Sequence, residues 1–586
     1  MLRDPSRIWR ARAPSWKSAS QTIGAFAETR KRASDMLTFP HFQPRFPREN
    51  WTLPHVLEHQ ARAIPDAPFL QWTDSEEPLS FSEVNEEANR LAHGFTALGI
   101  AKGDKVAIFL PNCLEYPLIW FALNKLGAVE VTIGDSFKGQ FLRHPLKLSE
   151  ARMVVTTPAL SHVLAEVTND LPAIERVILV GDDEAADCRP ASLGTITVTP
   201  LATLRSANTE NPDINVSPRD LAAVLFTSGT TGPSKAVLMP HRQIYFFCEE
   251  MIQVCRLTLD DVYLTGFPFF HANAQLESIY PAMVMGIRCV LYRKFSASDW
   301  IGRIRRSGAT VTNLLGATMA FVASQPQRPD DTDHKLRCIF AAPVPDKLCG
   351  TIKERYGVEA ITTGFGQTEI AMPFLSPWGQ AIPSGGCGVL LDQWYDVVIA
   401  DPETGEALDG EAVGELLVRP RIPGVICDGF MGMPEKTVEA WRDLWFHTGD
   451  AVRRDADGWY YFVDRLKDTL RRRGENISSF EVEDVVRAFP SVAECAVVGV
   501  PADEDGGEDE VMAFIVPAEG EMVDPAALIA FCERRMPAFA LPRFIEIIAD
   551  LPKTPSEKIQ KGELRKLGVR VSTWDRQSRA TTVEVG

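Results

Sequence analysis

The chain has 586 residues, 45% hydrophobic and 24% charged, which is enough material for more than one domain with an ordinary core. Its net charge of −17 argues against a nucleic-acid partner and against an anionic membrane surface. Eleven cysteines form no Cys-x-x-Cys pair and no zinc-like cluster with histidine, so they read as reduced, mostly buried thiols of a cytoplasmic protein.

Residues 1–36 are basic, with Arg3, Arg7, Arg10, Arg12, Lys17, Arg30, Lys31 and Arg32 against three acidic residues. A transit peptide has this composition; a disordered extension or a start misassigned ahead of Met36 fits better, because Leu37 onwards reads as a domain entry. Leu79-Ser80-Phe81-Ser82 leads into a helix with one apolar face at Val84, Ala88, Leu91, Phe95 and Leu98. Val106–Leu110 is a short buried strand, about Leu114–Leu126 a helix, and Val129–Ile133 another strand. The most apolar run, Tyr116 to Gly134, is broken by Asn124, Lys125 and Glu130, so no membrane span is expected. Helix and strand alternate to about residue 400, which predicts largely parallel sheets faced by helices.

From about Gly414 the strands shorten. Glu415–Val418 and Trp459–Val463 are two of them, and a separate small α+β domain is expected from Asp468. It reads as a strand to Arg472, a turn at 473–475, a helix opened by Ser478-Ser479-Phe480-Glu481, strands at Val492–Val500 and Glu510–Val516, a helix at Asp524–Met536 and a strand at Phe544–Ile548. The expected divisions are 37–464, a hinge at 465–467, 468–572, and a disordered tail at 573–586.

The chemistry gathers in five segments. Thr227-Ser228-Gly229-Thr230-Thr231-Gly232-Pro233-Ser234-Lys235 lies between apolar strands at Ala222–Phe226 and Ala236–Met239. Glycines there admit a polyphosphate, hydroxyls donate to it and Lys235 adds charge. The spacing excludes the usual NTPase loop, because two residues separate Gly229 from Gly232 and Ala236 follows the lysine. Thr363-Gly364-Phe365-Gly366-Gln367-Thr368-Glu369 sets an aromatic between glycines and then a hydroxyl and a carboxylate, suited to a purine, a phosphate and Mg²⁺. Trp445–Asp450 places a carboxylate after a turn, fit for two ribose hydroxyls. Asp464–Asp468 falls where the two domains meet, and Leu551–Ile559 presents Lys558. Each segment alone reads equally as a surface turn.

In this order the five segments resemble the adenylate-forming ANL superfamily, which contains acyl-CoA synthetases, peptide-synthetase adenylation domains and luciferases; the resemblance runs from about Leu79 to Leu567. It implies an α/β fold with a large N-terminal domain of sheets and helices, a small mobile α+β C-terminal domain and a site between them. It also implies ATP, Mg²⁺ and coenzyme A as cofactor and cosubstrates, with a small-molecule carboxylic acid as partner in a monomer or homodimer. Position by position, Thr227 to Gly232 with Lys235 correspond to the loop holding the β- and γ-phosphates. Ala341-Ala342-Pro343 correspond to the segment against adenine, and Gly364, Phe365 and Gly366 to the adenine-stacking turn. Thr368 and Glu369 correspond to phosphate and Mg²⁺ contacts, with Thr230 a second metal contact, and Asp450 and Arg465 to ribose ligands. Lys467 corresponds to the hinge, Gly474 to the border of the pantetheine tunnel, and Lys558 to the lysine bridging substrate carboxylate and α-phosphate. His271 corresponds to a histidine at the acyl-pocket mouth; alone after Phe267–Phe270 it also reads as a core residue.

The implied activity is ATP-dependent acid–CoA ligation through an acyl-adenylate. Another acceptor is the alternative, and a non-catalytic nucleotide-binding relative is a third class, supported by Glu557 where the family has glycine. No aspartate follows Phe270-His271 to hold an amino group, which favours free CoA. Residues 462–483 and 270–275 look most like the crotonobetaine/carnitine-CoA ligase branch. A quaternary ammonium group would want aromatic faces or a carboxylate, for which Phe269, Phe270, Tyr280 and Glu277 are candidates, or those aromatics line a pocket for a plain aliphatic or aryl acid. Arg471 to Arg473 read as a solvated strand face or as contacts to CoA phosphates.

Overall fold

A computed structural model describes residues 36–578, apart from 74–75, 182–192, 195, 228–233, 345, 403, 466–469, 473–474, 478, 502–508, 553–558 and 560. Segments of two to seven residues, most of them apolar and rich in Val, Ile, Leu and Phe, build two seven-stranded sheets that helices cover. The first runs in the order Ala360–Thr362, Cys338–Ala341, Val311–Leu314, Val262–Thr265, Arg288–Leu291, Pro68–Trp72 and Leu79–Ser80, parallel except at the last pair. The second runs Thr197–Pro200, Arg176–Leu179, Met153–Thr156, Lys105–Phe109, Val129–Thr132, Leu221–Thr227 and Lys235–Pro240, again parallel except at the final hairpin.

The helix Phe81–Ala97 opens with a reciprocal cap: Ser80 accepts from the Glu83 N–H, and the Glu83 side chain accepts from the Ser80 N–H. Its periodic face, Val84, Ala88, Leu91 and Phe95, is fully buried. Burying such a face stabilises the fold by about 1.5–3 kcal/mol per large side chain.

The expectation of parallel pairing to about residue 400 is corrected from Gly364 onward. There a third sheet begins, antiparallel throughout: Gly364–Gln367, Ala371–Leu375, Gly386–Leu390, Trp459–Arg465, Phe446–Arg454, Gly414–Pro420 and Tyr395–Ala400. Glycine is the reason Gly364–Gln367 and Ala371–Leu375 close so tightly. A Cβ at Gly366 would lie 2.2 Å from the Ala371 carbonyl oxygen, and one at Gly364 would lie 2.8 Å from Leu375 Cδ2.

The small domain has Val492–Pro501 and Asp509–Pro517 as an antiparallel pair, then Phe544–Ile547 parallel to it. Helices Ser479–Arg487 and Pro525–Glu533 cover one face, and Asp524 caps the second. Two expectations change here. Trp574–Asp575 is a strand on Phe544–Ile547, so the start of the tail is ordered: Trp574 packs on the core and Asp575 faces Arg543. Arg472 is neither solvated nor free to meet CoA. It is 2% exposed, its Nε lies 2.8 Å from Glu510 Oε2, and its guanidinium donates to the carbonyls of Phe539 and Leu541, each at 3.0 Å.

A buried carboxylate stripped of its partner costs more than the pair contributes. Arg472→Ala is therefore expected to destabilise the small domain by about 3 kcal/mol, read as a lower urea midpoint. The KM for CoA should be unchanged under conditions where the variant is folded.

Candidate active site

Parallel strands send their following loops off one edge, and ligands bind at such carboxyl edges. In the first sheet Val262–Thr265, Val311–Leu314, Cys338–Ala341 and Ala360–Thr362 are consecutive neighbours. The loops leaving them carry Phe267 to His271, Leu315-Gly316, Ala342-Pro343 and Thr363 onward, so segments far apart in sequence lie side by side. Leu314 and Ala341 are register partners, and a cis peptide joins Ala342 to Pro343.

The hairpin of the second sheet meets this edge. Thr227 and Lys235 are register partners at its end, and 228–233 lie outside the described residues. Thr227 Oγ1 donates to Glu369 Oε1 at 3.2 Å, which ties the hairpin to the turn at 368–370. Gln243 Nε2 donates to the carbonyls of Thr368, at 2.8 Å, and Glu369, at 3.2 Å, and the Cys427 N–H donates to the Glu369 carbonyl at 2.8 Å. The Lys235 ammonium sits 4.6 Å from the Phe430 ring centre.

Asp450 lies on the strand Phe446–Arg454 and is paired in register with Arg465. It is buried, and Gln367 Nε2 donates to its Oδ2 at 2.6 Å and to the Thr448 carbonyl at 3.1 Å. The Gly449 N–H donates to Glu415 Oε1 at 3.2 Å, with His447 Nδ1 2.9 Å from Glu415 Oε2. The Phe365 ring lies between Phe374 and Phe462, at 5.7 and 6.1 Å.

On the other side of the edge, His271 precedes the short helix Ala272–Ala274, its ring 4.3 Å from Phe270. The chain continues as a π-turn, Gln275–Ile279, a departure from the α-helix that recurs at functional sites. The small domain contacts the hairpin through Glu481, whose Oε1 accepts the Ser234 N–H at 2.6 Å. Phe141 of the large domain packs into the small domain's core.

The structure thus brings together Thr227, Lys235, Ala341, Ala342, Pro343, Gly364, Phe365, Gly366, Thr368, Glu369, Asp450 and His271 around one sheet edge and the hairpin that meets it. Lys467, Gly474, Glu557 and Lys558 lie outside the described residues, and of Arg465 only the backbone is described. Gln243, Gln367, Glu415 and Glu481 are absent from the sequence reading as site residues. All four are joined to the site by partners far off in the chain; Gln367, Glu415 and Glu481 stand in segments the sequence reading names without giving them a site role, and Gln243 stands in none.

Residues 57–424 match the AMP-binding enzyme family and residues 481–558 match its C-terminal domain. The chain is 34% identical over 499 residues to a crotonobetaine/carnitine–CoA ligase of Salmonella heidelberg, covering 83% of this chain and 93% of that one. It is 32% identical over 497 residues to one of Proteus mirabilis, with the same coverage. An o-succinylbenzoate CoA synthetase structure from Bacillus subtilis superposes with a TM-score of 0.74 at 22% identity, covering 90% of this chain and 99% of that one, which shows the shared fold. The chain belongs to the AMP-binding enzyme family, the adenylate-forming fold class, and within that family to its AMP-forming acyl-CoA synthetases.

The Gln243 amide fixes the two carbonyls that aim the Thr368–Glu369 turn. Small misplacements of positioned groups cost up to a hundredfold in rate. Gln243→Leu is expected to weaken ATP binding about tenfold, measured by titration calorimetry, with a thermal midpoint near that of the parent.

Proposed function

We propose that the acid joined to coenzyme A by this enzyme carries a quaternary ammonium group, and that Mg²⁺-ATP activates it. The enzyme is an ATP-dependent acid–CoA ligase: the acid becomes an acyl-adenylate with loss of pyrophosphate, and the CoA thiol then takes the acyl group as AMP leaves. The observation that carries the assignment of roles is the meeting of the Thr227–Lys235 hairpin with the Thr368–Glu369 turn through the Thr227–Glu369 hydrogen bond. The substrate class rests on the 34% identity, over most of both chains, to crotonobetaine/carnitine–CoA ligases.

A carboxylate attacking the α-phosphorus of ATP brings two anions together, so cations are needed where they approach. Lys558 would supply one, bridging the attacking carboxylate and the α-phosphate. Lys235 and the hairpin amides would hold the departing pyrophosphate. Asp450 would accept from the ribose hydroxyls, held by Gln367, with Arg465 opposite it in register. Phe365 and Ala341–Pro343 would flank the adenine, and His271 would stand at the mouth of the acyl pocket. Glu369, with Thr230, would hold Mg²⁺; one carboxylate beside substrate phosphates suits this ion, and among the described residues no cluster forms a self-sufficient protein cage. When bound, the ion neutralises charge developing on the phosphates.

Lys467 would take the backbone rotation that swings the small domain between the two steps, and Gly474 would border the thiol's path. The reaction would take place in the cytoplasm; among the described residues no helix is long and apolar enough to cross a membrane.

A panel of betaine, aliphatic and aryl acids with ATP and CoA, read by mass spectrometry, is expected to give thioester, AMP and pyrophosphate with trimethylammonium acids. ADP as product would overturn adenylation, and thioester only from aryl or aliphatic acids would overturn the substrate class. Lys558→Ala is expected to lower ATP–pyrophosphate exchange about 10²–10³-fold. Thioester formation from supplied acyl-adenylate should remain within about tenfold of the parent; equal loss of both steps would remove the lysine from the first.

A further inference from the structure

The π-turn after His271 holds a carboxylate for which the reaction itself has no use. Glu277 lies on a segment whose neighbours, residues 274–276 and 278–285, are all buried, yet Glu277 keeps accessible surface. Its carboxyl is nevertheless strongly desolvated, so the surface it keeps belongs to a recess and not to the outer face of the protein. His271, Ala272 and Asn273 on the same segment, and Leu315 and Gly316 beyond the neighbouring strand, are likewise partly accessible, so the cleft runs to the edge where the nucleotide segments meet.

Inside the cleft the carboxylate is oriented. Asn273 Nδ2 donates to Glu277 Oε2 at 2.8 Å, and Asn313 Nδ2 lies 3.4 Å from the same oxygen. Asn313 is itself fixed by the Tyr263 hydroxyl, which donates to its Oδ1, and by its own donation to Ser278 Oγ. Both of the bonds that reach Glu277 end on Oε2. Oε1 takes no hydrogen bond from the described residues and is not sealed from solvent. Among the described residues Glu277 makes no ion pair.

A carboxyl withdrawn from water with no counter-charge holds its proton near neutral pH, and a cationic ligand beside it would favour the charged form. We propose that Glu277 is the specificity residue that reads the positive charge of the acid substrate, its Oε1 facing the quaternary ammonium in the cleft. This rests on the substrate class given under Proposed function.

A trimethylammonium group donates no hydrogen bond, so it is bound by charge and by surface rather than by an acceptor of fixed direction. A carboxylate with one oxygen tied back and the other bare provides that. Two of the three aromatic candidates do less. Phe269 and Tyr280 are both 0% exposed, packed on Tyr116 and Trp120, and neither offers a face to the cleft. Burial pushes the Glu277 carboxyl up to about 8, with no neighbouring cation drawing it down, as expected of a site waiting for its counter-charge.

The test compares γ-trimethylammonium butanoate with the neutral acid in which tert-butyl replaces trimethylammonium, using the full chain and Glu277→Gln. Glutamine keeps the volume and the acceptor for Asn273. The parent enzyme should prefer the cation. Glu277→Gln should lose about 10–100-fold in kcat/KM for the cation and keep its rate on the neutral acid, which also shows that the variant is folded. A parent enzyme that does not prefer the cation would overturn the substrate class and the inference with it. A parent that prefers it and a variant that prefers it equally, or that loses both substrates alike, would overturn the role of Glu277 alone.

Discussion

Parallel pairing of four neighbouring strands is the constraint from which the site follows. Because Val262–Thr265, Val311–Leu314, Cys338–Ala341 and Ala360–Thr362 all point the same way, their loops leave together. No loop needs to be long or strained to reach the others, since strand spacing of about 5 Å already places them in contact range. On the roles proposed above, the acyl side would fall to the loop after Val262–Thr265 and the adenine side to those after Cys338–Ala341 and Ala360–Thr362. The hairpin proposed to hold the phosphates comes from the second sheet and is fastened by Thr227 to Glu369.

Much of this was legible in the residues because the physics was local. The capping box at Ser80 and Glu83 and the apolar face from Val84 to Phe95 need only 3.6-residue spacing to be read. The strands at 106–110, 129–133, 492–500 and 510–516 are short apolar runs ended by turn residues, and the structure places strands there. The segments 227–235 and 363–369 stood out for another reason, their runs of small residues in a given order, and both fall within the residues that match the AMP-binding enzyme family.

The misreadings share a cause, which is that the deciding partner is distant in sequence. Arg472 sits in a basic run that looks solvated, and only the fold reveals Glu510 and the carbonyls of Phe539 and Leu541 around it. Trp574–Asp575 is too short to announce itself and exists as a strand because Phe544–Ile547 offers an open edge. Gly364 and Gly366 were read with Phe365 as the adenine-stacking turn, and the structure adds that the hairpin's own backbone requires both glycines. Gln243 stands in no motif, and Gln367 stands in one only as a residue given no role; their importance lies in what their amides hold.

The buried carboxyls show why geometry has to rank above titration in finding a functional acid. Glu130 and Glu277 are both pushed up to about 8 by burial, so that shift cannot tell them apart. Glu250 is also raised, but it receives the Met372 N–H and the Tyr395 hydroxyl and has a structural task between the large domain's helix and its third sheet. Glu249 is similarly occupied by Tyr245 and the Arg45 N–H. Glu130 accepts from Gln275 through one oxygen, and its other oxygen is sealed in the core, out of reach of any ligand. Glu277 alone of the four has an oxygen that is both unbonded among the described residues and open to the cleft beside His271. A sealed acid in this position would cost stability and select nothing; an open one exchanges that cost for a substrate's charge.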